Sequence, residues 1–389
     1  MKQKVYSKDI ILILAASFCY MSSTMLVTPL ITGFAGSLGA SAALMGMIGG
    51  LMNLCSLVCR PFAGNLADRL SKYKVSFVGA GLILIGCAGY VLAGNEAMVI
   101  AARLINGVGF ACCSVCMSTW MSNLLPREKI GSGMGLYGTM NALGMAIAPA
   151  IGVSVYQSLG YRAAFLIAAA FGVLTVLIIQ FVGDKGEPAA APAASSRERL
   201  QLIEPKVIPV ALVIMLFAIP YCATQSFLVS YVEARGVNVS VSLFFPLYAA
   251  VLLVLRLSLR QWFDRLPFGV FLCAGAASAA VSILLLAGLR TNLHMVLAAA
   301  FMAGGYGIMC SVCQSSAILL AGPGKRGLAN STYYVGLDLG MTLGPILGGE
   351  LFAQADTRLF YPALLVTVPL VLAVYAATLL YARRACRRM

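Results

Sequence analysis

Two charged residues stand where charge is expensive. Arg103 lies in AMVIAARLINGVGF and Asp338 in VGLDLGMTLG, both inside long apolar runs. A charge within a membrane-spanning run costs on the order of 2.5–3.5 kcal/mol on insertion scales. Asp338 sits about ten residues into its run, roughly 15 Å at 1.5 Å per residue, which is half of a ~30 Å hydrocarbon layer. A carboxyl group at that depth can load and release a proton inside the membrane. It reads equally as a hydrogen-bonded anchor against Tyr333 or Tyr334. Arg103 lies about six residues, roughly 9 Å, from the outer end of its run. It either snorkels to the surface or faces an acid or an anion. The third group is RPFAGNLADRLSKYK, Arg60 to Lys74, which packs Arg60, Asp68, Arg69, Lys72 and Lys74 into a short turn between two apolar runs. A near copy, Arg256, Arg260, Asp264, Arg265 and Leu266, follows 196 positions later. Asp68 and Asp264 read as solvated turn charges or as carboxylates capping a helix start, where unpaired N–H groups and partial positive charge favour an acid. Glu233 and Glu350 lie near outer ends and are weaker proton carriers; His294 reads as an outer-end residue. Cys112, Cys113 and Cys116 have a metal-like spacing but no second cluster, so they read as packing residues. No catalytic triad, phosphate loop or metal cluster is present. The sequence therefore points away from an enzyme, from ATP-driven chemistry and from a bound cofactor or metal.

The elements that must position these residues follow from composition. Of 389 residues, 61% are apolar and 10% charged, against about 25% charged in an average soluble domain. A spanning helix needs ~20 mostly apolar residues. The chain reads as an all-α membrane protein with twelve transmembrane helices, near 10–32, 41–63, 75–93, 97–121, 132–156, 162–182, 207–231, 240–259, 268–289, 293–320, 328–353 and 360–382. Between the sixth and seventh, GDKGEPAAAPAASSRERLQLIEPK (183–206) is rich in Ala, Pro, Ser and charge. It reads as a cytoplasmic linker with a short surface helix around Ser196 to Ile203.

Net charge is +14, and its placement explains it. Lys and Arg cluster at 1–8, 60–74, 127–129, 185–206, 256–265, 325–326 and 383–388, whereas the opposite loops hold only Arg162, Arg235, Arg290 and Arg358. That asymmetry puts both termini and the linker in the cytoplasm. It makes the lipid bilayer, and no nucleic acid, the partner of the basic charge.

The two halves repeat. AMVIAARLINGVGFACCSVCMST (97–119) aligns with HMVLAAAFMAGGYGIMCSVCQSS (294–316), and LGMAIAPAIG (143–152) with LGMTLGPILG (339–348), at nearly the same offset as the charged turns. Residues 1–182 and 207–389 thus read as two pseudo-symmetric six-helix bundles, an arrangement that places a small-molecule site between repeats near the midplane. Gly144, Ala148 and Gly152, like Gly340, Gly344 and Gly348, recur every four residues, a spacing that lets helices approach closely. Pro149 and Pro345 bend the same helices.

On three motifs the chain resembles the major facilitator superfamily. Gly64-x3-Asp68-Arg69-x2-Lys72-x-Lys74 resembles its signature between spans two and three, with Ser71 where Gly is usual. Arg103-Leu-Ile-Asn106-Gly107-x-Gly109 resembles the span-four motif of its proton-coupled members. Gly144-x3-Ala148-Pro149-x2-Gly152 resembles the span-five motif of its twelve-span drug:proton antiporters, with Ala148 in place of Gly. The second copy, Gly344-Pro345-x2-Gly348-Gly349, keeps Gly-Pro. The resemblance implies a secondary transporter of the cytoplasmic membrane that works as a monomer and exchanges a small amphipathic compound for protons; the alternative is an importer of the same fold. It implies that Asp68 faces the start of span eleven near Gly327 to Asn330 and, by symmetry, that Asp264 faces the start of span five. Arg69 and Arg265 would assist them in gating, as would Gly144, Pro149, Gly344 and Pro345. It implies proton coupling at Arg103 with Asn106 nearby. The acid that such exporters often carry in span one is missing here past Asp9, which leaves Asp338 as the candidate. Cargo would meet spans one, four, seven and ten, through Tyr20, Thr24, Asn106, Phe110, Tyr221, Gln225, Tyr306 and Gln314.

Overall fold

Within hydrocarbon every backbone N–H and C=O must pair inside its own segment, so apolar runs of this length fold as helices. The computed structural model describes residues 7–188, 201–354 and 357–386. These residues are helical with short connections, and no strand occurs among them. The helices are α1 (Lys8–Val27), α2 (Ile31–Ser37), α3 (Ala42–Arg69), α4 (Lys72–Leu92), α5 (Glu96–Leu124), α6 (Ile130–Leu159), α7 (Tyr161–Gln180) and α8 (Ile208–Ala234). They continue with α9 (Phe244–Ser258), α10 (Trp262–Arg265), α11 (Phe268–Ala287), α12 (Asn292–Met302), α13 (Ile308–Ala321), α14 (Arg326–Gln354), α15 (Phe360–Leu364) and α16 (Thr367–Cys386). Polar side chains fix several starts. Ser7 accepts from Ile10 N, Ser41 from Leu44 N and Asn95 from Met98 N, each satisfying an orphan donor of the first turn.

Ten helical stretches among the described residues are long and apolar enough to cross a membrane by length and composition. The expected spans eight and eleven fall outside that set. In their places lie α9, an apolar helix of 15 residues, and α14, 29 residues long and interrupted by Asn330, Thr332 and Asp338.

By contacts the chain divides into two compact units, Met1–Glu204 with Ala321–Thr332, and Pro205–Leu320 with Tyr333–Met389. In the first, α1 packs on α6 and α7, α4 on α5 and α7, and α3 on α5. Tyr20, Tyr90, Trp120, Tyr137 and Phe165 are its largest wholly buried side chains apart from Arg103. In the second, α11 packs on α12, α8 on α16 and α9 on α12. The small-residue stripes bring helices together inside each unit. A Cβ on Gly152 would lie 2.7 Å from the Leu26 carbonyl oxygen, and one on Gly344 would lie 2.7 Å from that of Ile219. Gly thus sets the approach of α6 to α1 and of α14 to α8.

Three local expectations change. Arg60 is not in a short turn: α3 runs unbroken to Arg69, so Arg60 lies more than two turns inside it and only 2% exposed. Charge spacing cannot distinguish a loop from the polar end of a long helix. The first span is interrupted, with α1 ending at Val27 and α2 starting at Ile31 across Pro29, whose missing N–H breaks the ladder. Of the surface helix expected around 196–203, residues 196–200 lie outside the described residues, and Gln201 to Ile203 are not helical. Instead, both described ends of the 183–206 stretch lie against the first unit. Asp9 accepts from Gly183 N and Asp184 N, and Trp120 Nε1 donates to Asp184 O at 2.9 Å. Asn65 donates to Gln201 O, and Glu204 N donates to Thr332 Oγ1.

Candidate functional site

Gly64 and Asp68 are one helical turn apart near the end of α3. Asp68 Oδ1 accepts from Gly327 N at 2.7 Å and Oδ2 from Leu328 N at 2.9 Å. Those two N–H groups belong to the first turn of α14, where no intrahelical acceptor exists and the helix dipole is positive. The contact requires a missing side chain on each helix. A Cβ on Gly64 would lie 2.6 Å from Ser331 Cβ, and one on Gly327 would lie 2.5 Å from Gly64 O and 2.8 Å from Asp68 Oδ1. Around it, Asn330 Nδ2 donates to Thr119 Oγ1 at 3.0 Å, Arg326 Nη1 donates to Ser122 O and Asn123 Oδ1, and Lys325 pairs with Glu204 at 3.5 Å. All of these residues belong to the first unit. Arg69 is exposed, and Lys72 is buried at the start of α4, its N–H on Gly186 O. In the second unit Asp264 sits on the one-turn α10 and lines a cavity of about 450 Å³ with Lys206, Phe271 and Tyr375. Arg265 beside it is exposed.

Arg103 does not snorkel. It is 1% exposed and donates to Ile48 O at 3.3 Å and Gly49 O at 3.1 Å, with Met52 Sδ at 3.7 Å. The guanidinium therefore ties α5 to α3 through backbone oxygens, and the fork geometry of Arg suits two adjacent carbonyls. Asn106, one turn on, donates to Ile83 O at 3.3 Å, binding α5 to α4. Asp338 is buried at 9% exposure, two residues from the middle of α14, and its own carbonyl accepts from Thr342 Oγ1.

The cargo-facing candidates separate into two groups, each within its own unit. In the first, Tyr20 is wholly buried with its hydroxyl 3.3 Å from that of Tyr137, and its ring lies 6.2 Å from Phe110. Thr24 is satisfied by the carbonyls of Tyr20 and Met21. Phe110 lies under the Arg60 guanidinium at 5.7 Å, and Arg60 Nη1 donates to Ser114 Oγ at 2.8 Å. In the second, Tyr221 stacks on Tyr306 at 4.3 Å and contacts Tyr248 at 5.1 Å. Gln225 is exposed, and Gln314 Nε2 donates to Tyr334 OH at 3.0 Å. Tyr306 lies in a single π-helical turn, Ala303–Gly307, between α12 and α13.

Sequence reasoning treated Arg256 only as a turn charge. It lies in the last turn of α9, is 6% exposed, and donates from Nη2 to Gly307 O at 3.0 Å. The signal was available in the repeat: Arg256 is the counterpart of Arg60, and both fall two turns before the paired Asp68 and Asp264.

Long apolar helices in two units, with a handful of buried charged groups and a helix-start contact near one end, are the features of a multi-pass membrane protein. The family model of the Major Facilitator Superfamily matches residues 12–321, and the chain belongs to that family. Among curated relatives, the multidrug resistance protein MdtL of Escherichia coli O81 (strain ED1a) is 28% identical over 138 residues, 36% of this chain and 35% of the relative. MdtL of E. coli strain K12 / DH10B is 27% identical over the same length. The similarity thus spans about a third of those proteins. Among solved structures, the human organic anion transporter MFSD10 (TETRAN) superposes with a TM-score of 0.74 at 17% identity, covering 95% of this chain and all of that one. The transporter FucP in its outward conformation gives 0.76 at 16% identity, covering 95% and 98%. At these identities the likeness is one of fold.

Proposed function

We propose that the protein exports a small amphipathic organic compound across a cytoplasmic membrane in exchange for protons, as a monomer with both termini inside. The observation that carries proton coupling is Asp338, a carboxyl buried midway along α14. Direction is supported by similarity to proteins named for multidrug resistance. In this reading Asp338 is protonated as cargo leaves and ionised as cargo binds. Arg103, fixed on α3, holds positive charge at a constant depth in the first unit. Asp68 on the first amides of α14 is a latch that closes the cytoplasmic side and opens as the protein alternates between states. Gly144, Pro149, Gly344 and Pro345 give α6 and α14 the close contacts and bends that such motion uses.

The test is proton flux in inside-out vesicles acidified within, with lipophilic cations, neutral drugs and small organic acids added in turn. Collapse of the gradient by one class supports exchange. No response to any class, together with greater accumulation of a labelled metabolite in expressing cells, overturns export in favour of import.

A further inference from the structure

Arg256 is a buried cation whose hydrogen-bonding capacity is mostly unspent. Nη2 meets Gly307 O, while Nε and Nη1 have no hydrogen-bond partner among the described residues. Among the described residues no carboxylate pairs with Arg256. Removing a guanidinium from water is costly unless an anion and further acceptors compensate, and a buried polar group left unsatisfied in a native protein calls for an explanation. The first unit shows the satisfied version. There the counterpart Arg60 donates to Ser114 Oγ and covers the Phe110 ring. At the repeat-related position the second unit has Ser311, whose buried hydroxyl is also without a partner. The duplicated arginine and serine are retained, but the contact that closes the pair in the first unit is not made in the second.

The surroundings are aromatic. Gly307 ends the π-helical turn at the midpoint of the apolar stretch Asn292–Ala321. Such turns recur at functional sites. A Cβ on Gly307 would lie 3.0 Å from Tyr248 Oη, so that hydroxyl approaches the same backbone position as the guanidinium. Tyr306 and Tyr221 stack beside it, and Tyr221, half-buried, leads from the ring stack toward exposed Gln225.

We propose that Arg256, with Tyr221, Tyr248 and Tyr306, forms an anion subsite that receives the carboxylate of an aromatic or amphipathic organic acid. The guanidinium would take both oxygens on a fork made of the second Nη2–H and either Nε–H or an Nη1–H, and the tyrosine rings would cover the apolar body. This rests on the export reading only in supposing that cargo reaches the second unit.

The experiment is equilibrium calorimetry on the full-length protein in nanodiscs of neutral phosphatidylcholine, with 2-naphthoate and its uncharged analogue 2-naphthamide. The wild type should bind the acid at least about tenfold more tightly than the amide, as an added charge-assisted pair implies. Arg256→Gln should erase that difference, and Arg256→Lys should keep part of it. Equal affinities, no binding of naphthoate, or full discrimination in Arg256→Gln would overturn the subsite. If Arg256→Gln fails to fold, the wild-type comparison and Arg256→Lys still decide: discrimination with a partial loss in Lys supports the subsite, and no change in Lys refutes it. Binding at equilibrium needs no gradient and no direction. Acid selectivity without proton flux would therefore refute the export reading alone, and flux without selectivity would refute the subsite alone.

Discussion

Asp68→Asn removes one charge and almost no volume, so it isolates the electrostatic part of the α3–α14 contact. In the wild type each carboxylate oxygen accepts from one first-turn amide, at 2.7 and 2.9 Å. Hydrogen bonds to charged groups contribute about 1.5–3 kcal/mol each and neutral ones about 0.5–1.5. An anion at a helix start adds roughly 0.3–1. Asparagine keeps one acceptor but turns an NH2 group toward the other amide. The net loss is about 2 kcal/mol, and 1.4 kcal/mol is a factor of ten, so the contact should open roughly 30-fold more often. Gly327 N and Leu328 N stand at the start of α14, and their hydrogen-bond acceptor is this carboxylate. Hydrogen exchange of a peptide covering 326–332 therefore reads the opening directly. Exchange there should accelerate by about that factor, while the peptides of α1 and α7 stay unchanged. Wild-type exchange in 326–332, or acceleration throughout the protein, would refute the latch.

Gly64→Ala should act on the same segment by sterics. Its Cβ meets Ser331 Cβ at 2.6 Å and Gly327 O at 3.0 Å, so α3 and α14 must separate; exchange in 326–332 should rise as in Asp68→Asn, and unchanged exchange would show that the helices can adjust. Arg103→Ala removes a buried side chain and its donors to Ile48 O and Gly49 O, and the folded state should lose roughly 3 kcal/mol. Thermal unfolding in detergent measures it, and an unchanged midpoint would return Arg103 to a role in coupling alone. Asp338→Asn should abolish proton flux while the protein still folds and still exchanges labelled cargo for cargo across vesicles; full flux in that variant rules out Asp338 as the proton carrier.

Much of the architecture was legible because it depends on local quantities. Hydropathy over ~20 residues is enough to require helices in a membrane. The four-residue recurrence of Gly144, Ala148 and Gly152, and of Gly340, Gly344 and Gly348, puts each set on one helical face. Gly64 and Asp68, four apart, likewise share a face. What depends on a neighbour was not legible. The depth of Arg103 leaves open whether it reaches the surface or faces an acid or an anion, because counting residues does not show that α3 offers carbonyls beside it. Asn106 is expected beside cargo, and sequence does not show that its Nδ2 donates to α4. The stretch 183–206 looks like a free linker by composition, but Trp120 and Asp9 hold its start and Thr332 holds Glu204 near its end.

The sequence by itself determined a duplicated, all-helical transporter with acids and arginines at fixed heights along its helices. Height follows from counting residues at a constant rise. Only tertiary structure decided which way each charged group faces. Two residues with the same local pattern illustrate it. Arg60 and Arg256 occupy matching positions in the repeat, and nothing in their flanking residues separates a satisfied packing group from an unspent one. The difference lies in Ser114 and Phe110 on one neighbouring helix and in Gly307 and the tyrosines of another. Hydrogen bonding and burial of a side chain are properties of the partner helix as much as of its own.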